Sequence, residues 1–113
     1  MIFALATDER TLMVFSTPDE AIAHCEGIDV EDGLWLFWAE SGAALQPLFL
    51  TPNYRDSIVV GSGTYRLVLA QPLPGLAQTL GEISAMEANP FFSSLQAVQA
   101  HLARVAQVPQ YDA

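Results

Sequence analysis

STPDEAIAHCEGIDVEDGLWLFW, residues Ser16 to Trp38, holds a capped helix, an acidic link and an aromatic strand in one unbroken run. Thr17 is a capping residue, Pro18 fits the first helical position, Asp19 and Glu20 favour the first turn, and Glu20 stands three residues after the cap. Ala21, Ile22 and Cys25 form an apolar stripe at helical spacing, and Gly27 is expected to close the helix in the left-handed conformation. Leu34 to Trp38 carries too many large apolar side chains for a half-exposed strand. It is read as the central strand, or as one with a face awaiting a partner, with Leu34, Leu36 and Trp38 on one side and Trp35, Phe37 and Ala39 on the other.

Upstream, Ile2 to Ala6 and Thr11 to Phe15 read as two strands around a turn at Thr7-Asp8-Glu9-Arg10. Phe3 and Leu5 share one face of the first strand while Ile2, Ala4 and Ala6 share the other, so both faces are expected to be covered. Downstream, Glu40-Ser41-Gly42 turns into a strand over Leu45 to Leu50, which Pro47 marks as an edge or a bulge. Thr51 to Asp56 reads as a loop. Ser57 to Val60 and Thr64 to Ala70 read as strands joined across Gly61-Ser62-Gly63.

Pro72 and Pro74 end the sheet. Leu76, Leu80, Ile83 and Met86 then recur at helical spacing until Asn89-Pro90, with Gly81 costing that helix about 1 kcal/mol. Phe91 and Phe92 are expected to anchor the connection. Ser93 with Gln96 has capping-box spacing, and Leu95, Val98, Leu102 and Val105 line a last helix. Beyond Pro109 the tail is expected to fray. The fold class is α+β in a single domain over residues 1–113: a mainly antiparallel sheet of about five to six strands, a short helix after strand 2, and two C-terminal helices packed on one face.

Thirteen acids face four arginines and no lysine, a formal net charge of −9. Nine of the acids lie in residues 1–40, against Arg10 alone. Direct nucleic-acid binding requires clustered Lys or Arg and is therefore not expected, and anionic membranes are disfavoured for the same reason. A field of this sign steers a basic protein partner. The lone Cys25 forms no internal disulfide and belongs in the core. MIFALATDER lacks the basic segment and long apolar run of a secretory leader, so the expected location is cytoplasmic.

No catalytic signature emerges. His24 adjoins Cys25, but neighbours on a helix point about 100° apart and make no two-ligand metal face. Glu26, Asp29, Glu31 and Asp32 fall within seven residues yet lack the spacing of a calcium loop, so no metal is assigned. Gly61-Ser62-Gly63 lacks a spacer on each side of the serine for a nucleophile elbow, and the absence of lysine removes P-loop and Schiff-base chemistry. Most of the carboxylates sit in turns and first helical turns, where they cap and solvate, and Glu82 and Glu87 fall off the apolar stripe of a predicted helix, facing water. The chain is read as a non-enzyme without cofactor.

The run from strand 1 through TPDEAIAHCEGIDVEDG to the aromatic strand resembles the small immunity proteins that accompany bacterial polymorphic and contact-dependent toxins, over about residues 1–50. That resemblance implies an antitoxin that binds a cognate, basic toxin domain stoichiometrically in bacterial competition. Glu26, Asp29, Glu31 and Asp32 would form the charged part of the surface, with Trp35 or Trp38 as anchor. The alternative is a homo-oligomeric accessory or small-ligand-binding module, a homodimer through the aromatic strand or a pocket using Tyr54, Arg55 and Arg66.

Overall fold

The computed structural model describes residues 1–55, 60–70 and 72–106, Val60 through its backbone alone. The fold is α+β. Strands β1 (Ile2–Ala6), β2 (Thr11–Phe15), β3 (Trp35–Ala39), β4 (Ala44–Phe49), β7 (Tyr65–Leu69) and β8 (Ala85–Met86) form one sheet in the order β7-β4-β3-β1-β2-β8. All its pairings are antiparallel except β2 with β8. A separate small ladder joins β5 (Tyr54–Arg55) to β6 (Val60–Gly61).

β1 and β3 lie at the centre, in register from Ile2 opposite Ala39 to Ala6 opposite Trp35. Their side chains alternate between two cores. Phe3, Leu5 and Trp38 join Leu12, Leu76, Ile83, Val98 and Leu102 beneath the C-terminal elements, whereas Ile2, Ala4 and Phe37 join Ala21, Cys25, Val30 and Tyr65 beneath the N-terminal helices. The sheet is thus covered on both faces along β1 and at Phe37 and Trp38, while Leu36 of β3 stays 43 % exposed.

Helix α1 (Pro18–His24) starts as its sequence predicts: Thr17 Oγ accepts from the Glu20 amide at 3.2 Å. Glu20 reaches back to the hydroxyl of Ser16 at 2.6 Å. Its end differs, because Cys25, in extended conformation, caps it. Gly27 opens a second helix, α2 (Gly27–Glu31), where an acidic loop was expected. Glycine is needed there for space: a Cβ would stand 2.7 Å from Asn53 Oδ1 and 2.8 Å from the Gly63 carbonyl. The left-handed residue is Gly33, at φ +77°, whose amide bonds to the Val30 carbonyl.

Pro47 sits in an interior strand, and the reason is local. Bonds from Leu50 to Thr64 and from Ala70 to Ala44 put even-numbered β4 residues in the bonded positions toward β7, so Pro47 directs its missing N–H toward β3. The β3–β4 ladder covers only Leu45 and Ala44 and stops before it. Gly61-Ser62-Gly63 does not join two paired strands, since β6 pairs with β5 and β7 with β4. The expected strand over Ser57–Val60 falls largely outside the described residues, as does the tail beyond Ala106.

The expected helix over Leu76–Met86 is instead α3 (Leu76–Thr79), a 3₁₀ turn (Leu80–Glu82) and β8. The Arg10 carbonyl accepts from the Ser84 amide at 2.8 Å and the Leu12 carbonyl from the Glu87 amide at 2.8 Å, bonds that pull the chain into the sheet. Helical spacing misled because Leu76, Leu80, Ile83 and Met86 all face one core in either conformation. The last helix, α4 (Leu95–Ala106), is capped by Ser94, whose Oγ accepts from the Ala97 amide, one residue later than expected. Phe92 packs on Phe3 at 5.6 Å and on His101 at 5.3 Å, whereas Phe91 is exposed.

Cys25 is fully buried, and burial, aided by Asp29, pushes its thiol from 9.0 up to about 12. Tyr65, whose hydroxyl donates to the Cys25 carbonyl at 2.6 Å, is likewise raised by burial. A thiol with a raised folded pKa stabilises the fold fully below the unfolded value and loses that contribution as pH rises. Stability should fall by at most about 1.4 kcal/mol per pH unit above pH 9. Between pH 9 and the unfolded tyrosine value of 10.0 the slope belongs to the thiol. Urea unfolding across this window should show the slope in the native chain and a flatter line in Cys25→Ala.

Candidate functional site

The β1–β2 hairpin turns at Asp8-Glu9-Arg10, with Arg10 at φ 54° and the Glu9 amide bonded to Asp8 Oδ1. Below the turn, Thr7 fastens β1 to the start of β3: its amide bonds to the Leu34 carbonyl at 3.0 Å and its hydroxyl to the Gly33 carbonyl at 2.8 Å. The Leu34 amide in turn bonds to the Asp29 carbonyl at 2.9 Å, which holds α2 against that end of the sheet. On the other side, the bond from Glu87 to Leu12 sets Glu87 beside β2.

These elements surround a recess of about 330 Å³ lined by Asp8, Glu9, Met13, Asp29, Trp35 and Glu87, with His24, Thr11, Ala6 and Leu34 completing it. Four of the lining residues are carboxylates and none is Lys or Arg. Its aromatic wall is built by stacking: His24, at the end of α1, lies 5.4 Å from Phe15 and meets Trp35 edge-on at 5.7 Å. Trp35 is half-buried, with part of its indole turned to the recess. A half-buried tryptophan beside carboxylates is the chemistry that seats a cationic side chain, through the ring face and through charge.

The six residues singled out from sequence separate into four groups. Asp29 and Trp35 line the recess. Glu31 and Asp32 are held on another side of α2: Asn53 Nδ2 donates to Glu31 at 2.6 Å, and Arg55 forms a 2.7 Å ion pair with Asp32. Asn53 also donates to the Gly27 carbonyl at 3.0 Å and accepts from the Gly63 amide at 2.6 Å, so it clamps the excursion after β4 onto α2. Glu26 is exposed at the α2 cap and does not line the recess. Trp38 is only 3 % exposed, and its indole N–H donates to the Pro74 carbonyl at 3.0 Å. It belongs to the core and has no surface to offer as an anchor.

Sequence reasoning missed Asp8, Glu9, His24 and Glu87 as neighbours of Trp35. A hairpin tip one strand away and a carboxylate some fifty positions downstream carry no local signal of that meeting. Tyr54, Arg55 and Arg66 do not assemble into a pocket either. Arg55 is engaged by α2 on the N-terminal-helix face, while Arg66 sits opposite Leu48 on the other face of the sheet. Among the described residues, no three His, Cys, Asp or Glu side chains come together to hold a metal ion, and no helix is long and apolar enough to cross a membrane. No protein-family model, curated protein or solved structure matches the chain.

The clamp is open to a direct check. Asn53→Ala removes three hydrogen bonds and releases Glu31 and the Gly63 segment. Chemical denaturation should show a loss of about 2 kcal/mol, given a net contribution of about 1 kcal/mol per bond and partial solvent replacement. The wild-type denaturant slope should be retained.

Proposed function

We propose that this chain is an immunity protein, a non-catalytic inhibitor that docks a basic toxin domain on the recess around Trp35. One observation carries the reading: Asp8, Glu9, Asp29 and Glu87 ring a half-buried tryptophan without a lining cation. In a chain of net charge −9 this is where negative potential and an apolar contact surface coincide. Carboxylates on a concave wall focus the field, which accelerates the encounter with a positively charged protein. The partly desolvated indole then governs how slowly the complex dissociates. The resemblance of residues 1–50 to small immunity proteins supplies the class of partner. Toxins that act on nucleic acids carry basic clefts, and a ring of carboxylates can occupy such a cleft in place of phosphates.

The proposed surface differs from the one read from the sequence. Glu31 and Asp32 already have partners in Asn53 and Arg55, so the charged rim passes to the hairpin tip and Glu87. Expression of the protein encoded immediately upstream, with and without this chain, tests the class: toxicity alone and rescue with it in a one-to-one complex is the expected result. Within that complex, Asp29→Arg with Glu87→Arg should slow association about tenfold and flatten its salt dependence. Trp35→Ala should speed dissociation about tenfold. Unaltered kinetics in both variants would remove the recess from the interface.

A further inference from the structure

A different part of the molecule, the far edge of the sheet, has backbone groups left unpaired among the described residues. The sheet ends on one side in β8, of two residues, and on the other in β7, of five. Bonds of Thr64 and Ala70 with Leu50 and Ala44 fix the alternation along β7, so that Arg66 and Val68 bond toward β4. The N–H and C=O groups of Tyr65, Leu67 and Leu69 therefore point away from the sheet. Among the described residues, no backbone group bonds to that outer side. β7 is only lightly protected as an edge strand: it contains no proline, its single charge is the exposed Arg66, and Leu69 at its end is 60 % exposed.

We infer that β7 pairs antiparallel with β7 of a second copy about a two-fold axis at Leu67, joining two six-stranded sheets into one. An edge of this kind is self-complementary under a two-fold axis, because each outward N–H meets an outward C=O of an identical strand running the other way. With the axis at Leu67, Leu67 bonds to its own counterpart and Tyr65 to the second copy's Leu69. Arg66 then stands opposite the second copy's Val68, so the two guanidiniums do not face each other directly. Charge selects this side over others. β4, β7 and the residues joining them to their ladder, 44–50 and 64–70, contain no acid, in a molecule where acids outnumber arginines thirteen to four. A basic partner finds no carboxylate there, whereas two copies of a −9 chain meet there with the least repulsion. The recess lies toward the β1–β2 edge and stays accessible in both copies, so the dimer would be bivalent.

Sedimentation equilibrium of the full chain across micromolar concentrations should give a mass approaching twice 12.3 kDa. Higher salt should strengthen this association by screening like charge, opposite in sign to its effect on docking of a basic partner. Hydrogen exchange supplies a readout at the edge: the amides of Tyr65, Leu67 and Leu69 should gain protection as concentration rises. Leu69→Lys, at an exposed side chain, should raise the dimer dissociation constant at least tenfold and abolish that protection. Leu67→Pro deletes an outward donor while sparing the β4 ladder and should do the same. A monomer at every concentration overturns the inference. So does a dimer that ignores Leu69→Lys, or protection of the three amides that does not depend on concentration.

Discussion

Strands β1 and β3 have no polar face to give to water. Ile2, Phe3, Ala4 and Leu5 are all buried, and Phe37 and Trp38, adjacent in β3, are buried on opposite sides of the sheet. Burial of aromatic and aliphatic side chains on this scale is the dominant favourable term in folding, and here it requires a helical layer on each face. The N-terminal helices supply one and the C-terminal elements the other. The connections of the chain serve that requirement: α1 and α2 are inserted between β2 and β3, and α3, the 3₁₀ turn and α4 follow the last long strand.

The same constraint decides which tryptophan stays accessible. Covering both faces consumes Trp38, whose indole is satisfied by a carbonyl within the chain. Trp35, three residues earlier on the opposite face and at the very start of β3, lies where the covering layers end. Its ring is therefore packed on one side by His24 and open on the other. Acids gather there because turns and helix ends are where carboxylates are tolerated without desolvation. The recess is in this sense a product of how the sheet ends, with its charge drawn from the hairpin tip, α2 and the segment after β8.

The excursion between β4 and β7 has a structural task that engages two acids of α2 and its cap away from the recess. Asn53 satisfies three backbone or side-chain groups on α2 and at Gly63, and Arg55 pairs with Asp32. Both members of that ion pair are substantially exposed, so its direct contribution to stability is small. Its consequence is electrostatic: the acids of α2 are not equivalent, and Asp29 alone of them faces the recess. Close packing enforces the arrangement, since a Cβ at Gly63 would stand 2.1 Å from the Thr51 carbonyl.

By itself the sequence determined the elements whose signals are local: the capped α1, the β1–β2 hairpin, the doubly apolar β1 and β3, and the amphipathic α4. Each follows from the conformation of a few neighbouring residues and the period of its apolar side chains. Only the tertiary structure decided that Gly27 begins a helix instead of ending one, that Leu76 to Met86 breaks into helix, turn and strand, and that Pro47 lies inside the sheet. In each case a feature distant in the chain outweighed local preference: Asn53 at Gly27, Arg10 at Ser84, and at Pro47 a β3–β4 ladder that stops at Leu45. The site divides the same way. Acidic excess and an aromatic strand were legible in the residues, but which tryptophan stays accessible and which carboxylates surround it depend on strand order, because side-chain neighbours across a sheet are set by pairing and not by proximity in sequence.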